Sequence, residues 1–144
     1  MAVRHYPKAG EILLCDFRGY ERPEMVKVRP VVVLVERLIG RSIDLFTIVP
    51  LGGERSDRDF PYQVPILLER PLSPKFSKTE VWAKCDMIAV VSRERLDRFH
   101  IRPSSKDGTH RWLTGQVTRT QLEAIKVGVL RSLGYRLDNR RISS

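Results

Sequence analysis

The chain has 144 residues, a length that fits one domain with a modest tail. Hydrophobic residues make up 42% and charged residues 30%, which permits a packed core and excludes wholesale disorder. Lysine and arginine total 26 against 17 acids, a formal charge of +9, so a polyanion partner is indicated, with solubility alone as the bland alternative.

The N-terminal "MAVRHYPKAG" has no apolar signal core, so the protein is expected in the cytoplasm. Glu11–Phe17 ("EILLCDF") reads as a strand opened by Gly10. Residues 18–27 are polar, with Gly and Pro, and form a loop. Val28–Glu36 is the second strand. Its apolar run Val31–Val35 is of the kind buried on both faces, yet Arg29 and Pro30 stand at its mouth. Proline donates no ladder bond and suits a strand start, and the residue before it is held extended. Arg29 is thereby placed at the lip of a site while the run behind it anchors in the core.

Gly40-Arg41-Ser42 marks a turn, and Ser42–Pro50 is the third strand of an antiparallel meander. Residues 52–59 ("GGERSDRD") form a glycine-rich charged loop. Phe60–Leu68 reads as an edge strand, because Pro61 and Pro65 cannot donate to a ladder. An irregular connection, "ERPLSPKFSKT", follows. Thr79–Val91 holds one long strand or two, bent near Lys84-Cys85-Asp86. Ser92 caps a short helical turn, "SRERLDRF".

After a loop at 102–109, a helix is expected from about Thr118 to Leu133. Thr118 with Gln121, or Thr120 with Glu123, supplies a capping box. Leu122, Ile125, Val129 and Leu133 fall on one face, and Gly134 suits the position after the helix. Gly128, mid-helix, implies a close packing contact. The organisation is one domain over 1–134 and a basic, flexible tail over 135–144. Cys15 and Cys85 are expected to be buried and reduced, and no Cys/His spacing suggests a metal site. No apolar run approaches the roughly 18 residues of a membrane span. Short antiparallel strands with one C-terminal helix indicate a mainly β fold, a small barrel or strongly curled sheet.

The blocks "GEILLCDF", "VRPVVVL", "FTIVPL", "KCDMIAVVSRERL" and a helix ending "LRSLG" occur in this order. Together they resemble the PemK/MazF family of toxin–antitoxin ribonucleases over most of residues 8–134. The resemblance implies an SH3-like barrel, a homodimer, cleavage of single-stranded RNA without metal or other cofactor, and an antitoxin that covers the RNA groove. That antitoxin is expected to be acidic.

Such cleavage sends the RNA 2′-hydroxyl against the adjacent phosphate. It needs a base, an acid for the leaving 5′-oxygen, and donors for the developing phosphoryl charge. Arg29 matches the arginine of the family's "RP" block and has the planar fork for two phosphoryl oxygens. Its alternative is a surface arginine paired with Glu24 or Glu36. Where the family carries a threonine or serine after the third strand, this chain has Gly52, followed by Gly53. Consecutive glycines still offer backbone N–H groups as an anion nest. Ser56 or Thr47 is left as a hydroxyl source.

Asp86 stands where relatives have an acid followed by glutamine. Asp86 and Asp16 are candidates to orient Arg29 or act as base, or else ion-pair partners of Lys84 and Lys27. Arg55 and Arg58 read as phosphate contacts or as a solvated loop. Tyr20, Phe60 and Tyr62 are candidates to stack bases, and Lys27 and Lys84 join the RNA-binding set. His5, His100 and His110 read as surface residues, and Trp82 and Trp112 as core or interface. The competing function is a non-catalytic SH3-like module that binds RNA, DNA or an acidic protein.

Overall fold

The first three apolar runs form β1 (Glu11–Asp16), β2 (Val28–Val33) and β3 (Leu45–Gly52), an antiparallel meander. The computed structural model describes residues 3, 5–35, 44–54, 62–101, 111–113 and 115–136. Both faces of the meander are covered. Leu13, Cys15, Val31, Val33, Phe46 and Ile48 enter one core cluster, while Ile12, Val32, Val49 and Leu51 enter another. Period-two alternation sorts them, since neighbours in a strand point to opposite faces. Val31, Val32 and Val33 are each 0% exposed, which is why this stretch carries no polar residue.

Each outer edge of the meander has two partners. Leu45–Ile48 of β3 pair with β6 (Ala89–Ser92), and Leu51 and Gly52 pair with β5 (Glu80–Lys84). On the opposite edge, Leu14 and Cys15 of β1 pair with β7 (Leu96–Asp97), and Glu11 and Ile12 with β10 (Gly115–Gln116). Only the 3-10 turn Arg93–Arg95 separates β6 from β7. The two edges must therefore approach within the reach of three residues, and the meander is forced to curl. β4 (Gln63–Leu67) pairs with β5 alone and ends the path β10-β1-β2-β3-β5-β4, so the eight-stranded sheet is curled but open. β8 (Phe99–Ile101) and β9 (Arg111–Leu113) make a separate pair.

The fold is mainly β with a C-terminal helix, as expected, with local differences. The long Thr79–Val91 segment does bend where expected, at a 3-10 turn over Cys85–Met87. Pro65 does lie on an edge strand. Ser92 does cap, its hydroxyl accepting from the Glu94 N–H at 3.2 Å. The turn it caps lasts three residues, however, because Leu96, fully buried, leaves it to pair with β1. The second strand ends at Val33, and Pro30 is its third residue, at the point where β2 still has β1 as its only partner. β7 to β10 were not separable in the sequence, since runs of two or three residues carry no periodicity. The turn at 40–42 and the loop at 102–109 lie outside the described residues, as does the tail beyond 136.

The helix α1 spans Arg119–Ser132, opened by the Thr118–Gln121 capping box. Ile125 and Val129 are buried in the first core and Leu122 packs against it. Leu133 is 70% exposed, a correction to the expected face, because the helix has ended one residue earlier. Gly134 follows with φ +80°, the left-handed conformation expected of it. Among the described residues no helix is long and apolar enough to cross a membrane.

Cys15 and Cys85 are free and fully buried. Burial pushes both thiols up to about 12. A thiol reagent at pH 8 should leave both unmodified in the native protein and label both after denaturation. Rapid labelling of the native protein would mean that the cores open readily.

Candidate functional site

The ladder between β2 and β3 stops at Val31↔Pro50, although β2 begins three residues earlier. Beyond that pair the strands part, and a cleft of about 630 Å³ opens between their ends. Arg29 and Pro30 line it from β2, Leu51 and Gly52 from β3, and Lys84 from β5, with Met25 at one side. The opposite wall is the connection 72–78, which contributes Lys75, Phe76, Ser77 and Lys78.

Register fixes how these side chains face. Val31 lies opposite Pro50, and Gly52 opposite Trp82. Alternation then places Arg29, Pro50, Gly52 and Lys84 on one side of the β2-β3-β5 strands. Arg29 and Lys84 stand on the strands that flank β3, and both line the cleft. Two long cationic side chains lining one cleft can converge on one anion.

Arg29 is half-buried, and its Nε is buried with no hydrogen-bond partner. Nor does its guanidinium form an ion pair with any described residue, so the pairing with Glu24 is not found; Glu36 lies outside the described residues. An orphaned buried donor is uncommon and calls for an explanation, such as an anion that docks against it.

Lys84 Nζ donates to the Glu54 carbonyl at 2.8 Å and to Gln63 Oε1 at 3.5 Å. Its pKa is lowered from a lysine's ordinary value, chiefly because burial strips water from the ammonium, while Asp86 and Glu54 act in the opposite direction. Lys78 Nζ donates to the Gly53 carbonyl at 3.1 Å. The two glycines give these lysines room. A Cβ at Gly52 would lie 3.0 Å from Lys84 Cε, and one at Gly53 would lie 3.0 Å from Lys78 Cδ. Arg29, Lys75, Lys78 and Lys84 thus meet one acid, Glu54, in the cleft lining. Phe76 adds an aromatic ring there, held edge-on to Phe99 at 6.0 Å.

Four of the residues expected at a site are therefore brought together: Arg29, Gly52, Gly53 and Lys84. Asp86 is exposed on the turn after Lys84; it influences the charge of that lysine but does not line the cleft. Tyr20 stands elsewhere, under the Arg95 guanidinium at 4.9 Å and edge-on to Phe17 at 5.6 Å. Lys27 is exposed outside the cleft, and Tyr62 packs against the first core. Asp16 pairs with Arg18, not with Lys27, at 2.6 Å, and the guanidinium holds its carboxyl down at about 2. His5 lies against Glu11 at 2.5 Å. Arg55, Ser56, Arg58, Phe60 and His110 lie outside the described residues. Among the described residues no three His, Cys, Asp or Glu side chains gather as metal ligands.

Sequence reasoning missed Met25 and the Lys75–Lys78 wall. "KFSK" sits in a stretch with no periodicity, and an aromatic flanked by two lysines was its one available signal.

Residues 8–133 match the family described as the PemK-like, MazF-like toxin of type II toxin–antitoxin systems. The chain belongs to this family. A protein of Haemophilus influenzae is 32% identical over 135 residues, which cover 85% of this chain and 90% of that one. MazF from Deinococcus radiodurans shares the fold with a TM-score of 0.63 at 17% identity, over 91% of this chain and 99% of that one. A mycobacterial endoribonuclease, solved in complex with its cognate antitoxin, gives a TM-score of 0.59 at 19% identity, over 92% and 99%. The PemK/MazF fold of this chain thus places its basic cleft at the splayed ends of β2 and β3.

Proposed function

We propose that this chain is the toxin of a type II toxin–antitoxin pair, a metal-independent endoribonuclease that cleaves single-stranded RNA in the cytoplasm. One observation carries the reading: Arg29 presents a buried, unpartnered donor at the wall of a cleft that also gathers Lys75, Lys78 and Lys84. Arg29 receives the non-bridging phosphoryl oxygens, whose charge grows as the 2′-oxygen attacks. The lysines hold flanking phosphates, and Phe76 offers a face to a base. Tyr20 and Lys27, outside the cleft, are left to the path of a longer strand. Family membership supports a protein antitoxin partner, and the charge of the cleft favours an acidic segment that lies in it. A homodimer belongs to the same reading.

Incubation with long single-stranded RNA in excess chelator tests it. Discrete fragments with 2′,3′-cyclic phosphate ends are expected. Intact RNA with a well-folded protein would reject it. Gly52 favours a second reading, a non-catalytic RNA-binding module, because no hydroxyl stands at that position. Salt-sensitive RNA binding without product would select that reading.

A further inference from the structure

We infer that Glu54 is a specificity-determining residue, whose carboxylate accepts hydrogen bonds from the Watson–Crick edge of a guanine in the cleft. The inference rests on the endoribonuclease reading and adds to it the base that the cleft prefers.

Glu54 is the one acid in a lining that holds Arg29, Lys75, Lys78 and Lys84. A carboxylate in a groove for a polyanion repels phosphate and weakens binding to every sequence alike. A contact with something other than phosphate would offset that cost. The residue is firmly placed at its backbone. Lys84 Nζ, from β5, donates to the Glu54 carbonyl at 2.8 Å, and Lys78 Nζ, from the opposite wall, donates to the Gly53 carbonyl at 3.1 Å. The side chain is exposed, and its one ion pair among the described residues, with Lys78 Nζ, is 4.0 Å long. That exceeds hydrogen-bonding distance, so the carboxylate oxygens are open to a ligand's donors.

The other side chains of the lining do not select a base in this way. Phe76 can stack on any base, because every base has a π face. The arginine and the lysines only donate, and the Ser77 hydroxyl both donates and accepts. Among the lining side chains, Glu54 alone offers two adjacent acceptors and no donor. Guanine matches that pair, since its N1–H and N2 amino group are neighbouring donors on one edge. Adenine and cytosine set one amino donor beside a ring-nitrogen acceptor, which opposes the second carboxylate oxygen. Uracil sets its N3–H between two carbonyl oxygens. A single strand presents these edges unpaired, so a cleft that binds it can read them directly.

The test begins with a long RNA of randomised sequence, cleaved by wild type in excess chelator, with the fragment ends sequenced. Guanine should be enriched at one fixed position relative to the cut. Four short RNAs that differ only at that position then give kcat/KM for each base. Wild type should prefer guanine over uracil by about 5- to 150-fold, the discrimination of a good bidentate pair. Glu54→Gln has almost the same shape but offers one acceptor and one donor, the pattern that suits adenine. It should lower the guanine-to-adenine ratio by about fivefold or more and cleave the adenine RNA better than wild type does. That gain also shows that the variant is folded. Glu54→Ala should level the four bases.

No guanine preference in wild type, or the same order of bases in wild type and both variants, would overturn the inference. So would an equal gain or loss on all four RNAs, which would make Glu54 only a charge in the groove or a support of it. Each of these outcomes leaves the endoribonuclease reading intact. A wild-type protein that yields no fragments would remove both.

Discussion

Arg29→Ala is expected to lose about 100- to 1,000-fold in RNA cleavage rate, the usual loss on removing an electrostatic donor to a transition state. It should at the same time fold as stably as wild type, or more stably. The reason is the state of its Nε, buried and without a partner. A buried donor left unsatisfied costs about 1–3 kcal/mol, so removing it relieves the folded state of a penalty. Loss of the stem's packing offsets part of that gain. Arg29→Met keeps the packing and is the better stabiliser, with Tm expected to rise by roughly 2–4 °C if about 1 kcal/mol is recovered. The pair of readouts is diagnostic. An arginine that merely supported the fold would lose stability and activity together. A fall in Tm with full cleavage activity would reject the assignment of Arg29 to the phosphoryl group.

The same residue shows what was legible in the sequence. Arg29-Pro30 before an apolar run placed a cation at the end of a buried strand, and the structure puts Arg29 at the cleft wall with Val31–Val33 fully buried behind it. Strands of five or six residues, the capping box and the glycine after the helix were equally plain, because each rests on local chemistry. The cleft as a whole was not. Its floor depends on β2 and β3 parting after Val31↔Pro50, and its far wall on an aperiodic connection folding back across them. Both are long-range facts. Gly52 read as a missing hydroxyl, yet the structure gives it a positive use as clearance for Lys84, and that is visible only with β5 in place.

Gly128 carries the second large effect. In α1 it faces Cys85, and an added Cβ would lie 2.7 Å from Cys85 Sγ and 3.0 Å from Val64 Cγ2. The first distance is too short for any real contact, and both neighbours are held in place. Cys85 is 0% exposed, its Sγ lies 3.5 Å from the Ile125 carbonyl, and its own carbonyl accepts from Ser132 Oγ at 3.4 Å. The helix is therefore fastened to the Cys85–Met87 turn on either side of the glycine. Gly128→Ala improves helix propensity by about 1 kcal/mol but must force the two elements apart, a strain of roughly 1–3 kcal/mol. Gly128→Val adds two methyl groups to the same space, and we expect it to destabilise by about 2 kcal/mol or more, some 4–8 °C in Tm. Cys85→Ala removes the sulfur that makes the shortest contact. In the Gly128→Ala background it should recover most of the loss, so the two changes will not be additive. Additive losses would show that the glycine serves something other than this contact. Because Cys85 directly follows Lys84, a displaced turn should also shift the lysine, and Gly128→Val should lose cleavage activity at temperatures where it remains folded.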